Sequence, residues 1–324
     1  WRTFEVKGPR QQTLQAGLGL SPDGRTAWLD LAEASGLHHL PDAQRNPEKT
    51  TTYGIGELIR HALDLGARRI FLGLGGSATN DCGMGMAAAL GYGFLDGEGK
   101  EVEPVGGKLS HVQRIDAGGA DPRLAATEFL LACDVDNPLY GPTGAAHTYA
   151  PQKGADAAAV ERLDAGLRHF SERIEKDLKK QIAEVLGAGA AGGMGAGALA
   201  FLDARLQPGA ELFFRLTGFE DELKGCGLLF TGEGRIDRQT LHGKVVRAVV
   251  RQANRRNIPV IGLCGQLEAD AELLEQIGLR AAFSISNGPE KLSEALPHTA
   301  NRLEETAVQV GHLCGLASEK FRPQ

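Results

Sequence analysis

A short stretch near the carboxyl end of the chain, residues 231–244, concentrates side chains that could do chemistry. Among its charged groups are two carboxylates, a guanidinium and an ammonium, in the order Glu233, Arg235, Asp237 and Lys244. Opposite charges this close together suit a site that handles a metal ion and phosphate oxygens. Gly232 and Gly234 let the backbone approach a ligand or adopt a positive φ. The alternative is a solvated turn whose charged side chains face water.

The flanking residues predict how this stretch is held. An apolar run at 228–230 precedes it, and an apolar pattern with helical spacing follows at 245–250. We therefore predict a strand, a glycine-rich turn over 231–244 and then a helix. In open α/β sheets such turns lie at the carboxyl ends of strands, where ligands bind. Residues 70–81 repeat the arrangement, because an apolar run there leads into glycine and small polar residues.

Two further carboxylates, Asp134 and Asp136, follow the apolar run 129–133. Side chains two positions apart at the end of a strand point to the same side, so this pair is a candidate Mg²⁺ site. The alternative is a turn cap, because Asn137-Pro138 is a turn signal.

Composition excludes several classes of partner. The net charge of −6 leaves no broad basic surface, so neither nucleic acid nor an anionic membrane is expected to bind. No apolar run reaches the length of a membrane span. The five cysteines form no CxxC pair, which argues against a disulfide framework or a structural zinc site and favours a reducing cytoplasm. Glycines cluster at 187–197, which predicts a flexible or close-packed turn.

The order of elements predicts an α/β protein with two domains. Residues 1–31 alternate as three strands of a small antiparallel meander. From residue 228 onward strands alternate with helices, which predicts a parallel, doubly wound sheet. Only about three strands belong to that sheet, which is few for a stable open sheet. We place a mixed α/β domain over 1–225 and a parallel-sheet domain over 226–324.

Two nucleotide-binding motifs can be tested directly. A P-loop requires Ser or Thr after its Gly-Lys pair, but Gly243-Lys244 is followed by Val245. Residues 73–78 fit the dinucleotide-binding pattern, with Asp96 about twenty residues further on. One such pattern has low specificity, so a nicotinamide-dependent hydroxy-acid dehydrogenase stays a minor alternative.

Five short motifs occur along the chain in a fixed order. They are GGSATND at 75–81, CDVDNPL at 133–139, PQKGA at 151–155, TGEGRID at 231–237 and SNGP at 286–289. Together they resemble the motifs of the class I glycerate kinases, and the resemblance covers nearly the whole chain. It implies a Rossmann-like parallel-sheet domain with a mixed α/β domain inserted into it.

The resemblance also implies a reaction, the ATP- and Mg²⁺-dependent phosphorylation of D-glycerate to 2-phosphoglycerate. In phosphoryl transfer, positioning and charge neutralisation dominate. The residues expected to bind the hydroxy-acid are Ser77, Thr79, Asn80 and Asp81. Those expected to bind the nucleotide are Gly232, Gly234, Ser286 and Asn287.

The catalytic roles implied by the resemblance fall on the charged residues of the opening stretch. Arg235 or Lys244 would meet the carboxylate of the substrate or the transferring phosphate. Glu233 and Asp237 would bind Mg²⁺ or accept the hydroxyl proton. Asp134 and Asp136 remain further metal candidates.

The chain departs from the family pattern at its start. The family opens with a strand, an Asp-Ser-Phe-Lys-Gly loop and a helix, then an Asp-Gly-Gly-Glu-Gly segment, whereas this chain opens at Trp1 without them. We therefore expect the sequence to begin inside the family's second domain.

A non-catalytic relative that only binds a ligand is the alternative to a kinase. In either case we expect a cytoplasmic monomer or homodimer whose partners are small molecules.

Overall fold

The structure is a computed structural model that describes residues 1–242 and 245–320. The chain divides into two compact units, a first unit from Trp1 to Gly209 and a second unit from Ala210 onward. The boundary expected from the sequence lies between residues 225 and 226. Each unit has its own buried apolar core.

Eleven strands occur among the described residues. They are β1 Arg2–Lys7, β2 Thr13–Leu20, β3 Thr26–Asp30, β4 Arg69–Gly73, β5 Gly93–Leu95, β6 Arg114–Asp116, β7 Glu128–Ala132, β8 Arg205–Gln207, β9 Leu229–Ile236, β10 Val260–Leu267 and β11 Ala281–Ser284.

Twelve α-helices accompany the strands in the described part of the chain. They are α1 Leu31–Ser35, α2 Tyr53–Asp64, α3 Met84–Ala89, α4 Ala145–Tyr149, α5 Ala157–Leu178, α6 Ala190–Phe201, α7 Gly209–Thr217, α8 Phe219–Glu222, α9 Val245–Asn254, α10 Ala271–Ile277, α11 Leu292–Ala295 and α12 Thr299–Lys320. Two 3₁₀ turns bear on the site, Pro151–Lys153 and Arg238–His242. Within the described residues, no helix is both long enough and apolar enough to cross a membrane.

The first unit is built on a six-stranded sheet in the order β1-β2-β3-β4-β7-β8. The predicted antiparallel meander is confirmed for β1, β2 and β3, and β3, β4, β7 and β8 run parallel to one another. The register sets Asp30, Gly73, Ala132 and Gln207 side by side. The loops that follow these parallel strands therefore leave from the same edge of the sheet.

Burial explains why these residues form a central sheet. Ile70, Phe71 and Leu72 of β4 are all buried, as expected for a parallel strand covered on both faces. Ile55 and Leu58 lie on the buried face of α2, at the spacing that the sequence predicted for a helix.

The glycine-rich stretch 187–197 is close-packed, as one of the two predictions has it, but it is a turn only in part. Helix α6 begins at Ala190, and left-handed backbone at Ala191, Gly192 and Gly193 interrupts it. A Cβ at position 192 would lie 2.0 Å from the Thr79 carbonyl oxygen. Glycine is therefore required there so that α6 can approach the loop after β4.

The second unit contains a three-stranded parallel sheet in the order β11-β10-β9. This confirms the predicted strand–helix alternation and the small number of strands. The predicted turn was wrong for residues 231–236, because β9 continues through them and pairs with β10, with Gly232 opposite Leu263. A Cβ at position 232 would lie 2.5 Å from the Leu263 carbonyl oxygen, and neither Gly232 nor Gly234 has a positive φ. Gly232 is therefore required for close strand pairing rather than for a turn.

Candidate active site

The loop 75–81 of the first unit links β4 to α3 and is held from inside by Asp81. The buried carboxylate accepts hydrogen bonds from the backbone N–H and hydroxyl of Thr52, at 2.7 and 2.8 Å, and from the N–H groups of Gly83 and Gly85. Desolvation raises the pKa of Asp81, and the four hydrogen bonds oppose that rise. Through these bonds Asp81 stabilises the conformation of the loop. Its direct contact with a ligand stays a prediction.

Lys153 anchors the same loop through two further hydrogen bonds. Its side chain is only 2% exposed, and its Nζ donates to the Thr79 carbonyl oxygen at 2.7 Å and to the Ser77 hydroxyl at 3.2 Å. Desolvation lowers the pKa of Lys153 to about 7, although the nearby Asp81 carboxylate opposes the shift. The predicted substrate residues Ser77 and Thr79 are therefore both tied to a buried lysine.

Asn80 is buried among these residues, but its amide has no partner. Within the described part of the chain, neither its Oδ1 nor its Nδ2 makes a hydrogen bond. A buried amide left unpaired costs about 1–3 kcal/mol, and such a group is usually explained by a water or a ligand. Of the four predicted substrate residues, Asn80 therefore has the most unused hydrogen-bonding capacity.

The candidate metal ligands Asp134 and Asp136 lie in the loop after β7, at the sheet edge that also carries loop 75–81. Both are exposed. The Oδ1 atom of Asp134 accepts a hydrogen bond from the backbone N–H of Gly209 at 2.7 Å. Among residues 1–242 and 245–320, no group of three or more His, Cys, Asp or Glu side chains is arranged to hold a metal ion.

In the second unit, the charged residues at the carboxyl end of β9 and just after it form a connected set. Thr240 is buried, and its hydroxyl donates to Glu233 Oε1 at 2.5 Å and accepts from the backbone N–H of Asp237 at 3.1 Å. The half-exposed Arg235 pairs through its Nε with Asp237 Oδ2 at 2.7 Å. The other Asp237 oxygen accepts from the Gln239 N–H at 2.7 Å. These bonds fix the orientation of both carboxylates.

A cavity of about 870 Å³ opens at the carboxyl ends of β9, β10 and β11. Four predicted site residues line it: Gly232, Glu233, Gly234 and Ser286. The other lining groups come from the strand ends and from α11 and α12, including a guanidinium, Arg302, that pairs with Glu290. The cavity lies where open α/β sheets bind their ligands.

Three described residues of the predicted site in the second unit, Arg235, Asp237 and Asn287, are not among the residues that line this cavity. The exposed Asn287 follows Ser286 in the loop after β11. Lys244 lies outside the described residues, so its predicted role stays a prediction.

The sequence of this chain is similar to those of known proteins. A sequence model of the glycerate kinase family matches residues 1–315. The chain is 46% identical over 306 residues to the glycerate kinase of Halalkalibacterium halodurans, covering 94% of this chain and 80% of that protein. It is 45% identical over 290 residues to the glycerate 2-kinase of Escherichia coli, covering 90% of this chain and 76% of that protein.

The chain belongs to the glycerate kinase family.

A solved structure agrees with this assignment. A crystal structure of a candidate glycerate kinase 2 from Salmonella typhimurium LT2 matches with a TM-score of 0.87 at 43% identity, covering 98% of this chain and 83% of that chain. Membership of the family and the α/β fold predicted from the sequence are therefore confirmed.

The fold also bears on the dinucleotide-binding pattern at 73–78. In that fingerprint the helix opens within the glycine motif. In this family member α3 begins only at Met84, after a buried loop. The nicotinamide-binding alternative therefore lacks the helix that should begin within the glycine motif.

Three residues that bear on the site were not predicted from the sequence: Lys153, Thr240 and Arg302. Lys153 lies in the PQKGA motif and Thr240 in the stretch 231–244. The sequence therefore marked both segments as part of a site, but it did not indicate what either side chain does there. Arg302 lies in α12 and carried no signal, because an arginine on a helix is ordinarily solvated.

Proposed function

We propose that this protein is a glycerate 2-kinase, which transfers the γ-phosphate of ATP to the C2 hydroxyl of D-glycerate and gives 2-phosphoglycerate. The observation that carries the proposal is the 45% identity to the glycerate 2-kinase of Escherichia coli over 90% of this chain. All five motifs lie inside the residues that match the glycerate kinase family.

In this proposal the cavity of the second unit binds ATP. Its volume of about 870 Å³ falls within the range of small-molecule sites. The apolar side chains of Leu292, Leu296 and Leu303 line it and suit the adenine ring. Gly232 and Gly234 also line it, and because they carry no side chain the phosphates can approach the backbone.

Mg²⁺ is the cofactor that a kinase of this class is expected to use, and Asp134 and Asp136 are suitable ligands. Mg²⁺ prefers hard oxygen donors and is usually held by one or two carboxylates together with water and phosphate oxygens. Both carboxylates are exposed, and that of Asp136 accepts no hydrogen bond within the described residues. When bound, the ion supplies positive charge that neutralises phosphate oxygens.

The hydroxy-acid is assigned to loop 75–81 of the first unit. Asn80 offers an unpaired donor and an unpaired acceptor, which match a carboxylate and a hydroxyl group. The Ser77 hydroxyl lies beside the ammonium of Lys153 and can donate to a carboxylate oxygen. In this assignment Thr79 and Asp81 hold the loop in shape.

Asp237 is the proposed general base. Two hydrogen bonds, from Gln239 and from Arg235, orient its carboxylate while leaving lone pairs for the proton of the attacking hydroxyl. Arg235 remains half-exposed and carries a planar set of donors suited to a transferring phosphoryl group. Glu233 is held by Thr240 and serves in this proposal to fix the loop geometry.

The proposal is tested by D-glycerate-dependent release of ADP from Mg-ATP. Asp237→Asn should lower turnover by roughly 10²- to 10⁴-fold, the usual contribution of general-base catalysis. Asp221→Asn is the matched control, because Asp221 lies exposed in the same unit and pairs only with a surface lysine, Lys224, in the described structure. Wild-type protein that binds D-glycerate without releasing ADP would refute the proposal and would indicate a binding protein.

A further inference from the structure

Lys153 has no part in the chemistry proposed above, yet it is an almost fully buried charged residue. Only 2% of it is exposed. An ammonium in such a place costs free energy unless hydrogen bonds and opposite charge compensate for it. A lysine retained there therefore calls for an explanation beyond packing.

The ammonium connects three parts of the first unit. Lys153 itself ends the 3₁₀ turn Pro151–Lys153. Its Nζ donates to the carbonyl oxygen of Thr79 and to the hydroxyl of Ser77. The same hydroxyl lies 3.3 Å from the carbonyl oxygen of Ala191, in the left-handed interruption of α6. Ser77 is thus the point where these three segments meet.

The charges that face Lys153 are few. Asp81, buried in the same loop, attracts the ammonium and keeps the pKa of Lys153 from falling further under desolvation. The neighbouring thiol of Cys82 stays neutral, because burial and then the Asp81 charge raise its pKa. The backbone of Arg45 packs against Gly154, while its guanidinium pairs with Asp42. The balance of burial against Asp81 brings the pKa of Lys153 to about 7.

The protonation state of Lys153 decides what the Ser77 hydroxyl can do. A protonated ammonium only donates, so Ser77 Oγ accepts from it and keeps its own proton for another acceptor, such as Ala191 or a bound carboxylate. A neutral amine has a lone pair and can itself take the hydrogen bond of Ser77. Loss of the proton therefore removes a positive charge and also redirects a donor.

We propose that Lys153 is a positioning residue for an anionic substrate, acting through Ser77 and by its charge on a small carboxylate bound beside Asn80. The proposal rests on the proposed function, because the carboxylate is that of D-glycerate. Lys153 does not touch the substrate; it holds the Ser77 hydroxyl as a donor and supplies the local positive charge. Binding and protonation are then linked, so D-glycerate binding should take up a proton.

Isothermal titration calorimetry of the full chain with D-glycerate alone measures this linkage without ATP. At about one pH unit above neutrality, titration in buffers of different ionisation enthalpy should show uptake approaching one proton per D-glycerate. The apparent Kd should rise about tenfold for each further pH unit. Measurable binding without proton uptake would overturn the proposal.

Three variants separate positioning from a merely structural role. Lys153→Met should weaken D-glycerate binding by about 10- to 100-fold, the usual loss for a charged hydrogen-bonding group, and should abolish proton uptake. Lys153→Arg keeps the charge at all accessible pH values, so it should also lose the uptake while retaining more affinity. Lys108→Met, at an exposed lysine of the same unit, should behave as wild type. A Lys153 variant that still takes up a proton would overturn the proposal.

The outcomes distinguish this inference from the proposed function. ADP release by wild type with a KM for D-glycerate that is independent of pH would refute the positioning role and leave the kinase intact. Proton-linked binding without ADP release would support the role of Lys153 and refute the kinase. No binding of D-glycerate at any pH would refute both.

Discussion

Replacing Lys153 by methionine should change how the stability of the first unit depends on pH. Burial lowers the pKa of Lys153 from 10.5 to about 7 in the folded protein. Between those two values the unfolded chain binds a proton that the folded chain does not. The free energy of unfolding therefore rises with pH in this window, and the contribution is lost as pH falls towards the folded pKa. Methionine has a similar length and no titrating group, so the variant lacks this contribution.

The magnitude follows from the linkage relation. A difference of one pKa unit corresponds to about 1.4 kcal/mol. From about pH 7 to about pH 9 the unfolded chain stays protonated at this lysine, while the folded chain goes from half protonated to neutral. The free energy of unfolding of the wild type should therefore rise by about 2 kcal/mol relative to Lys153→Met.

Urea denaturation followed by tryptophan fluorescence measures this difference. Both tryptophans of the chain, Trp1 and Trp28, lie in the first unit, so their emission reports on the unit that contains Lys153. Lys108→Met provides the control, since an exposed lysine should leave the pH dependence unchanged. The reasoning would be refuted if the difference in free energy of unfolding between wild type and Lys153→Met stayed constant across the pH range. That result would mean that Lys153 has the same pKa in the folded and the unfolded chain.

Three further predictions concern single positions. Asn80→Leu should raise the free energy of unfolding in urea denaturation by about 1 kcal/mol, because it removes an unpaired amide, and should raise the KM for D-glycerate at least about tenfold. Gly232→Val should destabilise the second unit by about 1–3 kcal/mol in thermal unfolding, since its Cβ would meet a β10 carbonyl, whereas Gly234→Ala, with open space around its Cβ, should not. Thr240→Val should lower kcat in the ADP-release assay several-fold by freeing Glu233, and an unchanged kcat would exclude that role.

Sequence patterns predicted the fold well where they are local. The alternation in residues 1–31 and the strand–helix order after residue 228 both reflect short-range periodicity, and both were confirmed. The path of the chain through residues 231–236 was mispredicted, because glycine there was read as a turn signal. Gly232 is needed instead for its close approach to Leu263, and that requirement depends on a strand that lies about thirty residues away.

The site was predicted less completely, for a related reason. The motifs marked loop 75–81 and the charged set around Asp237, but not how these side chains bond. The partners of Lys153 are 74 and 76 residues away in the sequence, and its burial arises only when three segments pack together. Asn80 was selected from a motif, whereas its unpaired amide could only be found in the folded chain.

The identity of the product tests the central claim most directly. After incubation of the full chain with Mg-ATP and D-glycerate, ³¹P nuclear magnetic resonance distinguishes the two phosphoglycerates, because a phosphate on C2 couples to one proton and a phosphate on C3 couples to two. We predict a product doublet, from 2-phosphoglycerate, that grows with the ADP signal and is absent with Asp237→Asn. A product triplet would contradict the assigned hydroxyl, and consumption of neither ATP nor D-glycerate would contradict the kinase itself.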